Sequence, residues 1–288
     1  MISIPIGLPM TAAHSSSRSG AAPAYVDTSK ASIARVYDTA LGGKDNYPAD
    51  REVVEKLRTV APEIGQFTVD HRAFLVRAVR FLAGTAGIDQ FLDLGSGLPT
   101  AENTHQAAQR LSPEARVVYV DNDPSVVAHG RALLEENDRT FFSPGDLTVP
   151  EEVLADPVVT RNLDFSRPIG LLQLGTLHHY DESKLSCVEI MQRYIDALPS
   201  GSYVALSHFL DPEDENSVVA RRMEDVFLHS PLGTGVYRTR DQILAMMPGL
   251  ELVDPGLELC VKWWPDGPQL APLLPAQHCI AGVVGRKP

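Results

Sequence analysis

The chain has 288 residues, 44% of them hydrophobic, and a formal charge of −12. That length holds one large α/β domain, or a domain with a small accessory part, and the composition is that of a soluble globular protein. The negative balance argues against a surface that grips nucleic acid, because phosphate contacts need clustered Lys and Arg. Three cysteines, Cys187, Cys260 and Cys279, stand far apart with no CxxC pair, which fits a reduced, cytoplasmic protein. None of the nine histidines lies in an HExxH or at zinc-ligand spacing. No apolar run approaches a membrane span, and residues 2–10 lack the basic flank of a signal peptide.

In chain order, residues 11–24 are small and polar, and residues 1–27 are expected to be a disordered tail. Ser32 to Tyr37 predicts a short helix ending at the Gly42-Gly43 turn. A helix over Pro48–Leu57 starts with proline, whose missing N–H costs nothing in a first turn. Phe74, Leu75, Ala78, Val79 and Leu82 recur at helical spacing until Gly84 and Gly87.

From Ile88 strands and helices alternate. Strands are predicted over Gln90–Leu94, Arg116–Val120, Thr140–Phe142, Ile169–Leu174 and Tyr203–Ser207. Helices are predicted over Ala101–Leu111, Pro124–Glu136, Ser183–Leu198 and Glu213–Leu228. Thr148 with Glu151, and Thr239 with Gln242, read as capping boxes opening two further helices. Late strands are expected over Leu250–Val253, Leu257–Trp263 and His278–Val284. Such alternation predicts a mostly parallel sheet covered on both faces, with an antiparallel hairpin at one edge.

The first two strands carry the strongest chemical signal. Gly95 and Gly97 let the backbone leave the first strand and approach a ligand closely. A dinucleotide fingerprint wants a third small residue, and Thr100 stands there, so the turn suits NAD imperfectly. Asp121 ends the second strand 24 residues after Gly97, where a carboxylate can accept both hydroxyls of a ribose. Asp123 precedes Pro124 and reads as a helix N-cap, and Asn122 lies beside the ribose or adenine edge. After the third strand, Asp146 either accepts from an adenine amine while the Leu147 N–H donates to the ring, or is a turn acid before a helix.

Gly175 and the pair His178-His179 follow the fourth strand, on the side of an open sheet where ligands bind. His178 is a candidate general base, since imidazole titrates near neutrality; shaping the loop is its other reading. His208 ends the fifth strand at the same rim. Trp263 and Trp264 read as sheet-edge packing.

Together these segments resemble the class I methyltransferases that bind S-adenosylmethionine, and more narrowly a bacterial family of S-adenosyl methyltransferases, formerly a domain of unknown function. The resemblance rests on Ser32–Asp38, Leu41–Asn46, Arg72–Leu75, Phe91–Thr100, Tyr119–Pro124, Leu177–His179, Ala197–Tyr203 and Ala281–Gly282, covering nearly the whole chain after the tail. It implies a Rossmann-like, seven-stranded sheet of order 3-2-1-4-5-7-6 with an antiparallel last strand. It further implies a helical lid over residues 28–87 and an S-adenosylmethionine-binding domain over residues 88–288.

Tyr37, Lys44, Asn46 and Arg72 would be the lid residues nearest the cofactor. Asp93, Gly95, Ser96 and Gly97 would face its methionine portion, Asp121 and Asn122 the ribose, Asp146 and Leu147 the adenine, with Gly175 on the rim. Ser96 stands where many relatives have Thr, and Trp264 where they often have Arg. The expected activity is methyl transfer to an unidentified acceptor, with a small molecule as partner and neither nucleic acid nor membrane. The alternatives are a cofactor-binding regulator without turnover and, less well matched by Thr100 and the turn at Asp146, an NAD-dependent oxidoreductase. No metal is expected.

Overall fold

The computed structural model describes residues 26–99, 102–133 and 137–288. The expected tail up to residue 25, Thr100 and Ala101 lie outside the described residues. Helices α1 (Ile33–Ala40), α2 (Pro48–Val60) and α3 (Ile64–Arg80) come first, and α3 continues through a wider turn at Phe81–Thr85. Then follow β1 (Gln90–Leu94), α4 (Thr104–Gln109), β2 (Arg116–Val120), α5 (Pro124–Leu133) and β3 (Thr140–Ser143). After α6 (Pro150–Ala155) and α7 (Pro157–Asn162) come β4 (Gly170–Leu174), α8 (Cys187–Ala197), β5 (Tyr203–Phe209), α9 (Ser217–Leu228) and α10 (Arg240–Leu244). The chain closes with β6 (Glu251–Leu252), β7 (Glu258–Leu259) and β8 (Ile280–Arg286).

The sheet runs β3-β2-β1-β4-β5-β8-β6, with β7 also paired to β8. The pairs among β1 to β5 are parallel, and β8 is antiparallel to β5, β6 and β7. This is the expected order, with one two-residue strand more than the seven the resemblance implied. The order in which successive strands are added reverses between the parallel strands β1 and β4, the switch point at whose carboxyl ends a doubly wound sheet opens its crevice.

Alternate residues of each strand enter different cores. Phe91, Tyr119, Leu172, Ala205 and Val284 pack on one face with Phe74, Leu82 and Trp263. Leu92, Val118, Leu171, Val204 and Val283 pack on the other with Ile190, Tyr194 and Ile243. Burial on both faces is what a parallel sheet requires. Helix α3 lies directly on the sheet: a Cβ at Gly282 would overlap the Phe74 ring, so glycine is what lets the helix seat there.

Three local readings are corrected. The helix after β1 starts at Thr104, because Asn103 and Gln106 form a capping box that fixes its first turn. Thr148 does not open α6: its N–H and hydroxyl both donate to Asp146 Oδ1, and Pro150 sets the helix start instead. The strand expected over Leu257–Trp263 shortens to Glu258–Leu259. Arg77 donates to the carbonyls of Cys260 and Trp263, holding that segment in a turn away from the ladder.

A buried ion pair ties the N-terminal helices to the sheet. Arg35 Nε donates to Asp50 Oδ2 at 2.9 Å, and both side chains are almost wholly enclosed. Its Nη1 reaches Ser125 Oγ of α5 at 2.8 Å, while the Ser32 and Tyr47 N–H groups donate to Asp50. Removing one partner of such a pair leaves an uncompensated buried charge, a loss of about 3–5 kcal/mol. Asp50→Ala is therefore expected to lower the stability from denaturant unfolding by about that amount; an unchanged midpoint contradicts this.

Candidate functional site

The site grows from the exit of β1. Gly95 and Gly97 both take left-handed backbone, at φ of +70° and +67°, a conformation costly for any residue with a Cβ. The turn folds onto the end of β2: the Gly95 and Ser96 N–H groups donate to Val120 O at 2.7 and 3.2 Å. The Gly97 N–H donates to Asp121 Oδ2 at 2.8 Å, and the Asp123 N–H donates to Asp121 Oδ1 at 2.9 Å. Three successive amides are thus engaged inside the protein. These amides are therefore not free to receive a pyrophosphate.

What the turn leaves open is different. A Cβ at Gly97 would meet nothing within 4 Å, and the buried Ser96 Oγ has no hydrogen-bond partner. Asp121 is 9% exposed; burial pushes its pKa up to about 6 against the opposing pull of the two backbone N–H groups. Of its four acceptor positions two are taken, leaving one on each oxygen. Asn122 is exposed, and Asp123 caps α5 by accepting from the Ser125 N–H.

Asp93 sits deeper and accepts from Thr104 Oγ1 at 2.6 Å; burial raises its pKa to about 6 as well. Asp146 holds Thr148, and Tyr194 donates to Leu147 O at 2.9 Å, so α8 fixes the turn after β3. The Leu147 side chain and Thr176 close over Gly95, where a Cβ would overlap both. The turns after β1, β3 and β4 therefore pack together at Gly95.

On the helical side, Arg72 donates to the Glu102 carbonyl, and its buried Nε has no partner. Tyr37 Oη lies 2.8 Å from His71 Nδ1. Asn46 is engaged otherwise: both amide hydrogens go to Asp38 Oδ2 and Gly43 O, and its Oδ1 accepts from Arg51. Its work in this structure is to hold the Leu41–Asn46 turn, whereas Lys44 is exposed.

Gly175 is pressed by His71, whose Cε1 would lie 2.7 Å from a Cβ there. Farther along the rim, His178 is 2% exposed and stacks on Phe209 with centroids 3.4 Å apart, and its buried Nδ1 has no partner. His208 bridges Phe209 O and Arg238, whose other arm pairs with Glu182. Apolar spacing along α3 does not single out His71, and nothing local distinguishes Ser207 within its strand; the adjoining His71-Arg72 pair is the available signal. Among the described residues no cluster could hold a metal ion, and no helix is long and apolar enough to cross a membrane. A concavity of about 580 Å³ bordered by Gln90, Arg116 and Arg161 lies at the amino ends of the strands, opposite this crevice.

Sheet order and crevice define a Rossmann-like, doubly wound protein. A candidate methyltransferase of Thermobifida fusca is 42% identical, with 91% of this chain and 96% of that one aligned at a TM-score of 0.85. A DUF574 family protein of Streptomyces avermitilis is 36% identical over 91% of this chain and 99% of its own, at a TM-score of 0.84. No curated protein matches the chain. The sequence model of the S-adenosyl methyltransferases matches residues 19–288, and the chain belongs to that family. It is thus a methyltransferase whose cofactor is S-adenosylmethionine.

Burial sets the pH behaviour of this region. His71 and His208 are depressed to about 3, His179 to about 4, and His178 falls well below its ordinary value, each mainly by desolvation. The unfolded chain takes up protons at these imidazoles below about pH 6.5 and the folded chain does not, so stability is present above that pH and is lost on acidification. Asp38, Asp93 and Asp121 have raised pKa values and act oppositely, their contribution declining as pH rises through about 6 for the latter two. The imidazole shifts are larger and more numerous. Unfolding free energy is expected to fall as pH drops below about 6.5, by up to about 1.4 kcal/mol per pH unit per histidine. Urea titrations on both sides of that pH check this, and a flat profile contradicts it.

Proposed function

We propose that the protein transfers a methyl group from S-adenosylmethionine to a small-molecule acceptor, with the adenosine seated between the turns after β1, β2 and β3. The observation that carries this placement is the Asp121 carboxylate, which keeps one acceptor position free on each oxygen, as a pair of ribose hydroxyls requires. Asp146 and the Leu147 N–H would take the adenine. Gly97 and the unpartnered Ser96 Oγ fit the methionine end, with Asp93 beneath. Bound there, the cofactor supplies a methyl group on a sulfonium, activated for in-line displacement.

The chain's own contribution is then mainly alignment of donor and acceptor. Tyr37 and Arg72 lie on the helical side of the crevice. Within residues 28–87 we assign the lid to α1, the Leu41–Asn46 turn and α2, because α3 is already built into the cover of the sheet; residues 88–288 form the catalytic domain. The acceptor would lie beyond Gly175, against the rim of His178, His179 and Phe209. Burial keeps the His178 imidazole neutral, and its unpartnered Nδ1 is free to take a hydrogen bond from a hydroxyl or amine. Its depressed pKa makes it a weak base, contributing at the lower end of the 10²–10⁴-fold range of general-base catalysis. The net charge of −12 favours a small acceptor over nucleic acid. Three buried, unpaired cysteines agree with a cytoplasmic protein.

Calorimetry with S-adenosylhomocysteine tests the placement. Micromolar binding is expected, abolished in Asp121→Ala. Because the ribose needs the carboxylate form, affinity should be constant well above pH 6 and weaken by up to about tenfold per pH unit below it. No heat with the unmodified protein, or full affinity in Asp121→Ala, overturns the placement.

A further inference from the structure

A string of hydrogen bonds crosses from helix α1 to strand β5 at the mouth of the crevice. Tyr37 Oη lies 2.8 Å from His71 Nδ1, and His71 Nε2 lies 2.7 Å from Ser207 Oγ. His71 is 5% exposed and Ser207 1%, while Tyr37 is half-buried. The string passes over Gly175, whose missing Cβ is what admits the imidazole.

Hydrogen accounting fixes its direction. His71 is neutral, kept so by burial and by the neighbouring Arg72 charge, so it carries one ring proton. Among the described residues the Ser207 hydroxyl has no acceptor other than His71 Nε2. A ring proton on Nε2 would leave the serine hydrogen buried and unpaired, a state native structures avoid. With the proton on Nδ1, Ser207 donates to Nε2 and Nδ1–H donates to Tyr37 Oη, so the one hydrogen of the string left unpaired is that of the half-buried Tyr37 and not that of the buried Ser207. The Tyr37 O–H is then free to donate elsewhere. Arg72, next to His71, also holds an unused donor in its buried Nε–H.

We infer that Ser207 and His71 are positioning residues that fix the Nδ1–H tautomer and so make the Tyr37 hydroxyl a donor to the carboxylate of the bound cofactor. Two unused donors of neighbouring side chains, one of them cationic, suit an anionic oxygen better than the adenosine half. This inference rests on the cofactor placement proposed above.

Two measurements test it. Nitrogen-resolved imidazole spectra of the unmodified protein should show His71 protonated at Nδ1 only; the Nε2–H form or a charged ring overturns the inference. Binding is then compared for S-adenosylhomocysteine and 5′-methylthioadenosine, which lacks the carboxylate. Tyr37→Phe should weaken the first roughly tenfold and leave the second unchanged. Ser207→Ala should repeat that selective loss in smaller degree. Equal losses for both probes, as a merely structural role would give, overturn it, as does a silent Tyr37→Phe. If the unmodified protein binds neither probe while the His71 spectrum is as stated, the cofactor placement fails and the hydrogen-bond string stands.

Discussion

One carboxylate organises the crevice. Asp121, at the end of β2, accepts the Gly97 N–H from the turn after β1 and the Asp123 N–H from the start of α5. The first bond joins neighbouring strands just past their ladder and consumes the Gly97 amide, while the second closes a local turn into α5. The glycine turn is thereby pinned to the end of β2, beside the carboxylate to which we assign the ribose. Burying the acid has a cost, visible in its raised pKa, and the two backbone donors offset only part of it. Each of its oxygens keeps one acceptor position open to a donor.

The helical segment before β1 depends on that arrangement from the other side. Arg35 and Asp50 would be a poor stability device by themselves, since desolvation of two charges consumes most of their attraction. Their value lies in geometry: the pair fixes α1 to α2, and Ser125 fixes both to the helix that Asp123 caps. The Leu41–Asn46 turn is organised in the same manner around Asp38, which accepts from the Asp45 N–H and the Asn46 amide. The Asn46 side chain, a candidate cofactor contact in the sequence, is also part of the framework of this turn.

Much of the sheet was legible in advance because its signals are local. Gln90–Leu94 and Arg116–Val120 are apolar runs of strand length bounded by turn chemistry, and the structure places both strands at those residues. Errors arose where a competing partner decided the outcome. Asp146 captured Thr148 two residues away, and Arg77 reached across 183 residues to the Cys260 carbonyl, converting strand into turn. In the crevice, the acids and glycines stood out because their residue types are informative by themselves. His71 and Ser207 did not, because their meaning is a contact spanning 136 residues that only the fold creates.

The measurement that bears most directly on this account is the structure of the protein with S-adenosylhomocysteine bound. The account predicts the ribose hydroxyls on the two free positions of Asp121, with the amino-acid end running past Gly97 toward Tyr37 and Arg72. Adenosine bound elsewhere, or a ribose that does not touch Asp121, would contradict it.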